Sequence, residues 1–238
     1  MEMPCIMGNH DEYCAVDTDL SGFNPHAGHA IMWTRDQLSD EERDWLKRLK
    51  YLRMIANFPI VHSTLDAPKR WGYVMSKLDA AASFTYQNTG VCFFGHTHVP
   101  LAFMRDQNTV IGGKYDSLEV EKGKKYFINV GSVGQPRDGD SRAAYVIYDL
   151  KAGTIELRRL EYDFKKTQAK ILEAGLPERL ANRLALEPQH GLEELSHLGP
   201  IYKSQSDYLS LSPIHLEVHY KYVPKGEDKE WKGVSTAL

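Results

Sequence analysis

The sequence predicts an α/β fold in which a central sheet of mixed strands is flanked by helices. Two observations carry that expectation. Up to Gly95, short apolar runs of strand character alternate with stretches of helical periodicity. Beyond Gly95 the helices give way to closely spaced short runs separated by turn residues, the pattern of meandering antiparallel strands.

Taken in chain order, Met3 to Met7 is an apolar run that ends at Gly8-Asn9-His10-Asp11 and reads as the end of a buried strand entering a loop. His26 and His29 fall in an Asn-Pro-His-Ala-Gly-His stretch that reads as a solvated loop, with contact to a substrate as the alternative. Ser39-Asp40-Glu41-Glu42 is a capping box ahead of Trp45, Leu46 and Leu49, which predicts an amphipathic helix over about residues 40–50. Met54–Ala56 and Ile60–Val61 bracket Pro59 as short extended pieces ending at His62. Residues 76–87 read as a helix, with Leu78, Ala81, Ala82 and Thr85 on one face. Val91-Cys92-Phe93-Phe94 is uninterrupted, rich in strand formers and closed by Gly95, so it predicts a fully buried strand.

The later strands are expected at Leu101–Met104, Thr109–Ile111, Tyr126–Val130, Ala144–Tyr148 and Ile155–Leu160. Gly112-Gly113 and the lysine-rich stretch 121–125 read as turns between them. Helices are expected at Lys165–Ala174 and Pro177–Leu186, split by Gly175, with Pro177 in a first turn. The sequence divides into residues 1–186 and a C-terminal extension, 187–238, whose one recognisable feature is an alternating strand at His215–Val223. His215 and His219 share the polar face of that strand at a spacing that can chelate a metal, but read as exposed side chains.

Composition narrows the function classes. The 238 residues carry a formal net charge of −3, with 42% hydrophobic and 26% charged residues. That balance argues against general nucleic-acid or membrane binding. Three cysteines, Cys5, Cys14 and Cys92, lack a C-x-x-C spacing, so neither a disulfide framework nor a zinc knuckle is expected and the cytoplasm is the expected compartment. No apolar run is long enough to cross a membrane.

The chemistry is concentrated in three loops. Gly8-Asn9-His10-Asp11, Val61-His62-Ser63 and Gly95-His96-Thr97-His98 each follow an apolar run, and open α/β sheets place ligand sites at the carboxyl ends of their strands. Imidazole and amide oxygen donors suit Zn, Mn, Fe, Co or Ni better than Ca or Mg, which prefer all-oxygen sites. A pair of such ions can activate water and clamp a phosphoryl group. Arg137 offers the planar fork that suits phosphate, although a surface ion pair explains an arginine there equally well.

With these motifs in order, the sequence resembles the calcineurin-like metallophosphoesterases, in particular the small bacterial and archaeal type. Gly8-Asn9-His10-Asp11 matches the family's third motif, Val61-His62 its fourth and Gly95-His96-Thr97-His98-Val99-Pro100 its fifth. Asn129 to Arg137 and the segments Gly175-Leu176-Pro177 and Leu180 to Leu184 resemble later family segments, so the likeness covers about residues 3–186.

The resemblance implies a β-sandwich of mixed sheets flanked by helices, and hydrolysis of phosphomonoesters or phosphodiesters, nucleotides among them, at two divalent ions. Manganese is the favoured metal. It further implies that Asn9, His62 and His96 ligate one ion and His98 the other, that His10 donates a proton to the leaving group or steadies developing charge, and that Asp11 orients His10. The expected partner is a small phosphoester. The family's first two motifs, Asp-x-His and Gly-Asp with its bridging aspartate, lie upstream of the Gly-Asn-His-Asp loop, and seven residues precede Gly8. The sequence therefore reads as a chain lacking the first strands and helices of the fold, with impaired activity. A protein-binding scaffold on the same fold is the alternative, disfavoured by the retained His10 and downstream ligands.

Overall fold

The computed structural model describes residues 3–185. The alternating tail strand and its two histidines, His215 and His219, lie outside the described residues.

Among the described residues, nine strands form two sheets. The larger is built from β1 (Leu52–Ile55), β2 (Phe58–Val61), β3 (Val91–Phe94), β4 (Ala102–Asp106), β5 (Thr109–Gly113) and β7 (Lys125–Asn129), in the order β1-β2-β3-β7-β4-β5. The smaller joins β6 (Ser117–Glu119), β8 (Ala143–Asp149) and β9 (Thr154–Leu160), with β9 in the middle. Strands β2, β3 and β7 run parallel, and β1, β4 and β5 are antiparallel to their neighbours, so the sheet is mixed as expected.

The strand period of two explains how one sheet feeds two cores. Val91 and Phe93 of β3, with Tyr126 and Ile128 of β7, point to the smaller sheet and meet Leu118, Val146 and Ile155. Cys92 and Phe94, with Phe127, point the other way and pack under Ala80 and Phe84 of α4 (Lys77–Tyr86). Phe94 stacks on Phe127 at 4.1 Å between ring centroids. The result is a sandwich of two sheets with a helix on the outer face of the larger one.

Helices α1 (Asn9–Ala15), α2 (Pro25–Gln37) and α3 (Asp40–Lys47) precede the first strand, and α5 (Phe164–Glu173) and α6 (Glu178–Asn182) close the described chain. The capping box expected at Ser39 forms, with Ser39 and Glu42 bonding reciprocally. A second box, Ser76 with Asp79, opens α4.

Several expectations are corrected. Met3 to Met7 is not a strand: one parallel bridge, Ile6 to Lys50, is all the pairing it makes. The Asn-Pro-His-Ala-Gly-His stretch is the start of α2, because Asn24 caps the backbone N–H of His26 and Pro25 supplies the first helical residue. The buried face of α4 differs from the expected one: Leu78 is 80% exposed, while Ala80, Ser83 and Phe84 are buried. Gly112 and Gly113 lie inside β5, opposite Phe103 and Ala102, because the two-residue turn falls at Gln107-Asn108, where Gln107 is left-handed. Lys124 and its neighbours do form an exposed turn, but it links β6 in one sheet to β7 in the other. Pro177 precedes α6 rather than lying in its first turn.

Candidate metal centre

Because β2, β3 and β7 are parallel, their carboxyl ends lie on one edge of the sheet. Val61 hands over to His62, Phe94 to the Gly95 loop, and Asn129 to the loop that reaches Arg137. The N-terminal turn of α1 arrives at the same edge, since Met7 N–H donates to Lys50 O just before β1. The four sequence segments singled out above therefore meet.

Three donor atoms converge there. His62 Nε2 lies 3.0 Å from Asn9 Oδ1 and 3.1 Å from His96 Nδ1. Both imidazoles are buried, at 6% and 5% exposure. His96 Nε2 is 2.8 Å from the carbonyl oxygen of Trp71. A carbonyl can only accept, so Nε2 carries the proton and Nδ1 presents its lone pair to the cluster. The same reasoning applies to His98, whose Nδ1–H donates to Gln135 O at 2.7 Å and leaves Nε2 as the free donor atom. Outer partners of this kind fix the tautomer of metal-binding histidines.

Electrostatics keep these rings neutral. Burial, then His96 and His10, lower the His62 pKa to about 3. Burial lowers that of His96 to about 4, helped by Arg137 and opposed by the Trp71 carbonyl. His98 is held well below its ordinary value by burial and then Arg137. The positive charge of Arg137 works against protonation of His10, His96 and His98. Its backbone N–H donates to His98 O, and its Nε and Nη2 donate to Gln135 Oε1. His10 stands exposed at the rim, and desolvation followed by Arg137 lowers its pKa.

The Asp11 carboxylate accepts the Gly8 N–H at 2.7 Å, which steadies the turn carrying Asn9 and His10. Burial raises its pKa.

The loop is shaped by a residue that sequence reasoning left without a role. Asn129, fully buried, donates from Nδ2 to Gly95 O at 2.7 Å and to Thr97 Oγ1 at 2.9 Å, and accepts the Gly131 N–H. These bonds hold His96 and His98 in left-handed backbone conformations, at φ 64° and 61°. Such conformations cost of order 1 kcal/mol or more each in a non-glycine residue and cluster at functional sites. Trp71, also left-handed, was missed because nothing in its local sequence marks it.

The donor set fits a divalent transition ion. Two donors each about 2.1 Å from an ion and separated by 90–110° lie roughly 3.0–3.4 Å apart, the spacing observed from His62 to Asn9 and from His62 to His96. The set is neutral, however. Among the described residues no group of three or more His, Cys, Asp or Glu side chains is arranged to hold a metal, so the centre rests on two imidazoles, an amide and the nearby His98.

The family model for the calcineurin-like phosphoesterase superfamily domain matches residues 1–153. An uncharacterized protein of Methanocaldococcus jannaschii, MJ0912, is 35% identical over 186 residues, covering 76% of this chain and 74% of its own length. A metallophosphoesterase from Sphaerobacter thermophilus superposes with a TM-score of 0.66 at 39% identity, over 76% of this chain and 75% of that one. The hypothetical protein PH1004 from Pyrococcus horikoshii, 16% identical with a TM-score of 0.59, covers 77% and 72% and shares the fold.

Proposed function

The chain belongs to the calcineurin-like phosphoesterase superfamily, and from that premise we propose that it hydrolyses small phosphomonoesters or phosphodiesters, nucleotides among them, with the help of divalent transition ions. The convergence of Asn9 Oδ1, His62 Nε2 and His96 Nδ1 within 3.1 Å steps carries the reading.

Asn9, His62 and His96 would hold one ion, and His98 would face a second. Such ions supply Lewis-acid polarisation of the phosphoryl oxygens and activation of water. Arg137 would bind the phosphoryl group through its guanidinium fork. His10, at the rim, would protonate the leaving oxygen. An arriving phosphate anion offsets the positive charge of Arg137, one of the two causes that lower its pKa, and so favours the charged, proton-donating ring. Asp11 would act through the α1 turn that it secures at Gly8.

Neutral donors alone do little to offset the repulsion between two dications. With the described donors we expect one ion held firmly, a second weakly, and slow turnover. Manganese is the first choice among Mn, Fe, Zn, Co and Ni. The free thiols of Cys5, Cys14 and Cys92 support a cytoplasmic setting, and among the described residues no helix is long and apolar enough to cross a membrane.

The test is to load the purified protein with manganese and follow a chromogenic phosphodiester and a phosphomonoester, with chelated protein beside it. Slow hydrolysis abolished by chelation, with about one ion retained per chain after desalting, is expected. A protein that takes up none of the five metals and turns over neither ester would overturn the hydrolase reading in favour of a protein-binding scaffold.

A further inference from the structure

Glu12 lies one helical turn after Asn9 on α1, and nothing above gives it a role. Both of its carboxylate oxygens are engaged. Tyr51 Oη–H donates to Oε1 at 2.6 Å, and Trp71 Nε1–H donates to Oε2 at 3.0 Å. The three residues come from α1, from the segment before β1 and from the loop after β2.

Trp71 touches both buried imidazoles. Its ring stands edge-on to His62 at 5.7 Å, and its carbonyl accepts the Nε2–H of His96. That carbonyl points at His96 from a left-handed backbone, φ 52°, a conformation that needs support from outside the residue. The support is visible: the indole is fastened to Glu12 and packs against Tyr51 at 5.7 Å. Burial and then the bond to Glu12 push the Tyr51 phenol up to about 12, so it stays a donor at any working pH.

We propose that Glu12 is a positioning residue of the metal centre, holding Trp71 so that its carbonyl fixes the proton of His96 on Nε2 and leaves Nδ1 free for an ion. The inference rests on the metal-centre reading, and it deepens it by assigning the residue that presets the His96 tautomer. Glu12 touches neither ion nor substrate. It also couples the two sides of the site, because the helix that carries Asn9 and the loop that orients His96 are joined through its carboxylate.

The experiment uses the full chain with Glu12→Gln, Trp71→Phe and Tyr51→Phe. Nitrogen-15 histidine correlation spectra of the metal-free protein report the tautomer directly. Cobalt titration followed by visible absorption reports affinity, and urea unfolding reports stability. Wild type is expected to show His96 as a single Nε2–H tautomer. Glu12→Gln and Trp71→Phe are expected to give a mixture of tautomers and about 10–100-fold weaker cobalt binding, the usual loss when an outer partner of a ligand is removed. Tyr51→Phe, which leaves the indole bond intact, is expected to keep the tautomer and lose less than about threefold in affinity.

A tautomer unchanged in Glu12→Gln and Trp71→Phe overturns the proposal. So does a loss of cobalt binding in all three variants that merely follows their loss of stability. Should Glu12→Gln fail to fold, Trp71→Phe carries the same comparison. A wild type that binds no cobalt sinks the metal-centre reading instead, while the tautomer comparison still decides whether Glu12 sets the state of His96.

Discussion

His10 and His96 lie on the same rim yet differ in what surrounds them. His96 is locked between Trp71 O and His62 Nε2, whereas His10 is exposed. His96→Ala should therefore strip the bound ion, and His10→Ala should leave metal content near that of wild type while cutting turnover about 10²-fold or more. Metal analysis beside steady-state rates separates the two, and equal metal loss in both would show that the roles are wrongly divided. Gly8 supplies a second case. A Cβ there would sit 3.0 Å from His62 Cε1 and Nδ1 and 3.2 Å from the Asp11 carboxylate. Gly8→Ala should push His62 away from Asn9 and weaken metal binding at least 10-fold, a loss of about 1.4 kcal/mol, while changing the unfolding midpoint little. The residue types at the centre were legible in the sequence because Asn9, His62, His96 and His98 each follow an apolar run. Glu12 and Trp71 were not, because their importance comes from contacts 59 residues apart that no local pattern announces.

Among the elements, the strands that carry the site are the ones the sequence marked best. β3 is four consecutive apolar residues and is buried at all four. The buried face of α4 is not legible in the sequence, because Leu78 suggests a core position whereas Ser83 is drawn inward by its bond to the Leu65 N–H and a link to Asp66. β6 was missed since three residues, Ser117 to Glu119, are too few to show alternation. The connection leaving β7 makes a specific demand. Gly131 has φ 78°, and a Cβ there would lie 2.6 Å from Ala144 Cβ and 2.9 Å from Pro100 Cγ. Gly131→Ala should cost about 2–4 kcal/mol, combining backbone strain with overpacking, and should disturb the loop that carries Gln135 and Arg137. Urea unfolding checks the stability, and the Michaelis constant for a phosphoester checks the loop. Ser76→Ala, which removes a capping side chain from α4 on the far side of β3, should cost about 1 kcal/mol and leave that constant unchanged.

For the molecule as a whole, several neutral imidazoles buried at one edge make the metal-free fold sensitive to acid. A histidine whose folded pKa lies below its unfolded value contributes fully above the unfolded value, near 6.5, and less as pH falls toward the folded one. His62 and His96, at about 3 and about 4, and His98 and His10, both lowered, all act in that sense. Asp11, raised by burial, opposes them weakly and only near the carboxylate range. Stability of the metal-free protein should therefore drop between pH 7 and pH 5, with uptake of about three to four protons on unfolding. The slope of unfolding free energy against pH measures it, and a flat profile over that range would show that these rings are already charged in the fold.

The spacing of the donors along the chain has a different consequence. Asn9 and His62 are 53 residues apart, and His62 and His96 are 34 apart. An ion shared by all three would act as a cross-link, closing two long loops at once, and linkage adds about 2.7 kcal/mol of apparent stability when free metal stands at a hundredfold excess over its dissociation constant. The same chain would then present itself to proteases in two forms, a stapled one when metal is plentiful and an open one when it is scarce. Lifetime, and not only catalysis, would follow the supply of the ion.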